Sequence, residues 1–272
     1  MFDIKKLTLF TLLMMIMVVF TACNSNTNAN PAGEAEDAIE YLEKANAAMN
    51  EIDSMLITFT SETLMPFIAS DLIMDIENRG TIEVINMTDS FEARVEFAQD
   101  IMGSDVEYVA YFKDDMIVLT SFPEEMGVPG EGVRGSAQPE TPFSLINIHL
   151  DFLEDAILDH DYDIVNEGVK LSFSLDSETL LRTVNGQLNM EDFTLDNLGE
   201  HHYHLTILLD NANLIQSIEL EISFTYETED GSFEASMRAS LEVAHDGNIN
   251  FEFPDHMYEL LDIGPINSLP LF

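Results

Sequence analysis

Between residues 202 and 254 the chain alternates apolar and polar side chains with a period of two, and this pattern leaves few folds open. Tyr203, Leu205, Ile207 and Leu209 form one run. Ile218, Leu220, Ile222, Phe224 and Tyr226 form the next, set against Glu219, Glu221 and Glu227. A turn at Glu229-Asp230-Gly231 leads to Phe233, Ala235, Met237, Ala239, Leu241 and Val243, and Asp246-Gly247 leads to Ile249, Phe251 and Phe253. Successive side chains of a strand point to opposite faces, so the spacing predicts four antiparallel strands, each apolar on one face. Such a sheet needs its apolar face covered.

A second β region spans residues 54–122, where Phe91, Ala93, Val95 and Phe97 alternate with Glu92, Arg94 and Glu96. About five strands are predicted there, with turns at Asn78-Arg79-Gly80, Thr88-Asp89, Gly103-Ser104 and Asp114-Asp115; alternatively, Gly80 marks a bulge inside one long strand. Three segments have helical spacing. The first is 34–53, with Ala38, Leu42, Ala45, Met49 and Ile52 on one face. The second is 141–158, with Phe143, Ile146, Leu150, Leu153 and Ile157, and the third is 176–185, capped by Asp176. Short strands are expected at 162–166 and 169–175. Residues 123–142 are rich in Gly and Pro and read as a long loop.

The N-terminus reads as an address. Lys5 and Lys6 precede an apolar run of 14 residues, 7–20, which ends in Thr21-Ala22-Cys23. A membrane-spanning helix takes about 20 apolar residues, so an exported chain with a cleaved signal is the better fit. Phe20-Thr21-Ala22-Cys23 resembles the bacterial lipobox, which implies a signal peptide over 1–22 and lipidation of Cys23. The Asn-rich stretch 24–33 then serves as a flexible tether, giving a lipid-anchored protein on the extracytoplasmic side of the cell membrane.

Charge and cysteine content exclude several functions. With 51 acidic against 10 basic residues and a formal charge of -41, binding to nucleic acid through basic patches is ruled out. One cysteine permits no intrachain disulfide. His201, His202 and His204 form a histidine cluster at the start of a strand, but no third metal ligand is assured. Asp159, Asp161 and Asp163 echo the opening of a calcium loop, yet Ile164 stands in place of its Gly and Lys170 in place of its Glu. No G-x-S-x-G elbow occurs, and Gly127, Gly130, Gly132 and Gly135 fall among prolines without the strand and helix that a phosphate-binding loop needs. The expectation is a non-enzymatic protein with no catalytic residue, no cofactor and no metal.

The order of elements resembles the fold family of the outer-membrane lipoprotein carrier LolA and the mycobacterial lipoproteins LprG and LppX, and in particular uncharacterised Gram-positive lipoproteins of that kind. The residues that carry the likeness are Ala45-Asn46-Ala47-Ala48-Met49, the strand 205–210 with its turn Asn211-Ala212-Asn213-Leu214-Ile215, and the segment from Asp246-Gly247 to Phe253-Pro254. The resemblance implies an α+β fold: an antiparallel half-barrel of about 9–11 strands wrapped around a few amphipathic helices on its concave face. It also implies a single domain over 34–272, with similar halves at 34–122 and 141–256 joined by the loop 123–140.

Such a fold implies a pocket for a lipid or other hydrophobic molecule between sheet and helices. Its expected lining is Leu42, Met49, Phe143, Ile146, Leu150, Leu205, Ile207, Leu220, Ile222 and Met237. The alternative is an interaction or sensory scaffold without a ligand cavity, which engages another envelope protein. In either case the partners expected are the membrane, through Cys23, and a lipid or an envelope protein.

Overall fold

A computed structural model describes residues 37–49, 51–66, 73–86, 92–101, 104–113, 116–121, 132–137, 157–176, 198–228, 231–245 and 249–266. Among them are twelve strands in a single sheet and one α-helix, so the described residues are mostly β, with one helix on the sheet where several were expected. The expected helix 176–185 falls outside the described residues beyond Asp176, as do the signal, the tether and residues 141–156 of the second expected helix. That second helix does not reach Leu158, because a strand has already begun at Ile157.

The helix, α1 (Ala38–Met49), is shorter at both ends than its apolar spacing suggests. Asp37 caps it, its Oδ1 accepting the N–H of Glu40 at 2.9 Å. At the other end the carbonyl of Met49 accepts from Ile52, which closes the last turn. Ala38, Leu42, Ala45 and Met49 recur on one face and are all buried.

The first meander has the five strands expected: β1 (Met55–Pro66), β2 (Ile73–Ile85), β3 (Glu92–Ile101), β4 (Ser104–Lys113) and β5 (Met116–Ser121). Asn78-Arg79-Gly80 is neither turn nor bulge, since β2 runs through it in unbroken register with β1 and β3. The segment expected as loop holds β6 (Val133–Ala137), which pairs with β5. The second meander is β7 (Ile157–Val165), β8 (Gly168–Leu175), β9 (Leu198–Leu209), β10 (Ile215–Thr228) and β11 (Gly231–Ala244). Asp210 builds the β9–β10 turn, its Oδ1 accepting the N–H groups of Ala212 and Leu214 at 2.7 and 2.8 Å.

Residues 249–253 do not make the fourth strand that their alternation suggests. Phe253 packs instead on the sheet, 5.9 Å from the ring of Tyr111, with the Lys113 ammonium 4.8 Å from its own ring. Beyond a 3-10 turn at Met257–Glu259, β12 (Leu261–Ile266) pairs in parallel with β6. Pro265 fits there because β12 is an edge strand.

Strand order is β12-β6-β5-β4-β3-β2-β1-β11-β10-β9-β8-β7. The two meanders are therefore one sheet, joined where β1 pairs with β11 from Leu56↔Ala244 to Leu64↔Ser236. The opposite edge, β7, is exposed along most of its length. Two of its aspartates fold back on the backbone: Asp159 Oδ1 accepts the N–H of His160 at 2.9 Å and Asp161 Oδ1 that of Tyr162 at 2.8 Å. Occupied N–H groups and carboxylates both discourage a further strand from adding to an edge.

Candidate functional site: the inner face of the sheet

The face on which α1 packs is the inner face. Its apolar side chains form one buried cluster reaching from Leu171 and Phe173 on β8, through β9–β11, to Phe59 on β1, Ile82 on β2 and Phe97 on β3. Leu42 and Met49 on α1, Leu205 and Ile207 on β9, Leu220 and Ile222 on β10, and Met237 on β11 all belong to it. The structure thus brings these expected lining residues together. Phe143, Ile146 and Leu150 lie outside the described residues.

Register aligns the inner-face side chains in rows that cross the sheet. One row is Phe173, Leu205, Leu220, Ala239, Ser61, Asn78 and Gln99, apolar from β8 to β11 and polar from β1 to β3. The polar stretch is as buried as the apolar one, with Asn78 and Gln99 only 2% and 1% exposed. Its groups bond to one another in a single direction. Gln99 Nε2 donates to Asn78 Oδ1 at 2.7 Å, and Asn78 Nδ2 donates to Ser61 Oγ at 3.0 Å. Burying amides is tolerable because they are paired, and this ladder pairs them across three strands.

Two neighbouring rows frame the ladder. On one side Phe59 and Phe97 stack with ring centroids 6.1 Å apart, with Gly80 between them in register. A Cβ at Gly80 would come within 2.6 Å of the Phe59 ring, so the absent side chain is what lets the ring lie across β2. On the other side Tyr203, Ile222, Met237, Thr63 and Ile76 stand in line. Burial pushes the Tyr203 phenol up to about 12, because the phenolate would lose its hydration there. Thr63 is buried and its Oγ1 has no hydrogen-bond partner among the described residues.

Sequence reasoning missed Ser61, Thr63, Asn78 and Gln99, although their signal was present. Each continues the inward parity of its strand after an apolar residue: Met55, Ile57 and Phe59 lead to Ser61 and Thr63, and Phe97 leads to Gln99. Polar residues at inward positions are where a buried polar site shows in a sequence.

The outer face is different in character. Two open depressions of ≈ 350 and ≈ 390 Å³ lie there, the first bordered by Glu62, Glu77, Arg79 and Arg238 and the second by Leu56, Thr58 and Glu242. Arg94 bridges Glu83, at 2.8 Å, and Glu96. Burial works against its charge, but hydrogen bonds to Glu83 and Tyr111 and the charges of Glu96 and Glu83 outweigh that and raise its pKa. His202 and His204 are exposed on the side of β9 away from Tyr203 and Leu205, and no group of three metal-ligating side chains occurs among the described residues. No described helix is long and apolar enough to cross a membrane.

No family model matches the chain, and no curated protein matches it. Among solved structures, similarity is distant. The YwiB protein of Bacillus subtilis is 9% identical, with 70% of this chain and 93% of that one covered and a TM-score of 0.18. A DUF1329 family protein of Desulfovibrio piger is 8% identical, with 78% and 93% covered and a TM-score of 0.27. The Pseudomonas aeruginosa MucA/MucB complex is 8% identical, with 74% and 93% covered and a TM-score of 0.15.

Proposed function

We propose that the protein is an extracytoplasmic lipoprotein, anchored in the cell membrane through Cys23, that binds a lipid or other hydrophobic molecule against the inner face of its sheet. The observation that supports this reading is the continuous apolar cluster on the inner face, contributed by α1 and by strands from both meanders, in a chain whose outward positions are rich in carboxylates. Small-molecule sites are concave and mostly apolar with a few convergent polar groups, the chemistry that the inner face offers if it opens to a ligand. The LolA-like resemblance of the sequence supports the same reading, and nothing in it calls for catalysis.

The full chain, purified gently from its membrane, is expected to carry a stoichiometric lipid, detected by native mass spectrometry and lipid extraction. A clean apoprotein, unchanged after incubation with membrane lipids, defeats this reading and favours a closed scaffold that engages an envelope protein. The anchor has its own test. Metabolic labelling with a fatty acid is expected to mark the native chain and to leave a Cys23→Ala variant unlabelled.

A further inference from the structure

We propose that the C-terminal strap, residues 249–266, is an exchangeable arm, and that its seat on the outer face of β4–β6 receives the strap of a second copy of this chain. The strap follows β11 at the middle of the sheet and ends as β12 at the far edge, beside β6. What holds it there is separate from the main core. Met257 and Leu260 form a small cluster with Val118 on β5, flanked by Tyr111, Met116 and Phe253. Val118 is one residue out of phase with Ile117 and Leu119, which pack beside Val95 on the inner side, so the seat lies on the outer face. None of its six apolar members belongs to the inner-face cluster, and the strap can leave without opening that cluster.

The backbone attachment of the strap is weak in the same sense. β12 with β6 is the one parallel pair among the described strands, and its register breaks between Asp262 and Pro265, beside Gly264 with a φ of +79°. By contrast β1 and β11 stay in register without a break from Leu56 to Leu64. Parallel pairing is slightly the less stable per residue, and an interrupted edge pair is the first to open.

Charge selects the occupant. The strap carries Glu252, Asp255, Glu259 and Asp262, whereas its seat carries Lys113 and Arg134, two of the ten basic residues in a chain of formal charge -41. The Lys113 ammonium, paired with Glu92 at 2.7 Å, lies 4.8 Å from the Phe253 ring centroid, and Arg134 Nη2 is 3.5 Å from Asp262 Oδ2. An acidic segment with spaced apolar side chains is thus what the seat recognises, and a second copy supplies an identical one. Two copies that trade straps make the same contacts in a closed two-fold dimer, which is why such exchange is a low-cost route to association. Tyr258 and Leu261 tilt the balance further. They are 62% and 56% exposed on the strap of a single chain, and a second copy beside them covers apolar surface that one chain leaves in water.

The test uses the full chain in detergent in a Cys23→Ala background, so that only introduced thiols react. One preparation carries Arg134→Cys and a second, isotope-labelled, carries Asp262→Cys, so neither chain can join positions 134 and 262 by itself. After mixing and mild oxidation, a disulfide between those positions, linking a labelled to an unlabelled chain, is expected by peptide mass spectrometry. Its yield is expected to exceed by about tenfold that of a matched mixture with His202→Cys in place of Asp262→Cys, which measures chance collision. Sedimentation velocity of the native chain is expected to show a dimer whose fraction rises with concentration. A native chain that stays monomeric throughout overturns the proposal. So does a link to position 262 no more frequent than the link to position 202, since any dimer then forms through another surface and the strap serves only its own chain.

Discussion

Strands β8–β11 and strands β1–β3 share one sheet face and the same hydrogen-bonded rows, yet they stabilise that face by different means. From β8 to β11 the middle row is Phe173, Leu205, Leu220 and Ala239, held by burial alone. From β1 to β3 it is Ser61, Asn78 and Gln99, held by directed bonds. Apolar packing tolerates shape-conserving exchange, whereas a buried ladder depends on every member being present. Register follows the same division. A one-residue slip of β2 would turn Asn78 outward and separate both of its bonds, so the ladder fixes β1–β3 more tightly than alternation alone.

The largest expected effect lies on the apolar side. Phe173→Ala, at a position 1% exposed, is expected to cost about 3–5 kcal/mol in denaturant unfolding. A loss under about 1 kcal/mol would show that the β8 end of the cluster is loosely packed. Next comes Tyr203, on the same side. Its phenol is raised from 10.0 to about 12 in the fold, so between those pH values the unfolded chain has released a proton that the folded chain still holds. The corresponding stability is fully present below pH ~10 and is lost as pH rises towards 12, a fall of roughly 2–3 kcal/mol. Tyr203→Phe is expected to flatten that part of the stability-versus-pH curve.

On the polar side, Gln99→Leu is expected to cost about 1–3 kcal/mol, because Asn78 Oδ1 then stays buried and unpaired. Replacing all three members together, Ser61→Ala, Asn78→Leu and Gln99→Leu, is expected to cost no more than Gln99→Leu alone. Strict additivity in a thermal-unfolding cycle would break the distinction drawn here between the two sides. The smallest stability effect belongs to Asp159→Ala with Asp161→Ala, about 0.5 kcal/mol or less. Light scattering at high protein concentration is nevertheless expected to show more self-association, since the N–H groups of His160 and Tyr162 lose their side-chain acceptors.

Where alternation is clean the sequence was readable, and where elements are short or dual in period it was not. β9, β10 and β11 fall on the runs that begin at Tyr203, Ile218 and Phe233. Ile157 and Leu158 satisfy both a helical and an extended spacing, and pairing with β8 decided the matter. The sequence VRGSA of β6 has no alternation, and its strand exists because β5 and β12 flank it. Phe251 and Phe253 alternate like a strand, but Phe253 is satisfied by Tyr111 and Lys113 without a ladder. For the candidate site, the apolar members were legible one residue at a time. The polar row was not, because it exists only once register sets β1, β2 and β3 side by side.

The seam between β1 and β11 also sets an order in time. During synthesis β1 and β2 are complete while β11 is still unmade, since Leu56 waits for Ala244. Until then the inner edge of the first meander has backbone groups with no strand to meet, and closing so distant a contact is slow because chain entropy is lost before contacts repay it. The centre of the finished sheet thus joins only after strands of both meanders have been made. In a nascent chain, β1 is the edge that a chaperone has most reason to hold.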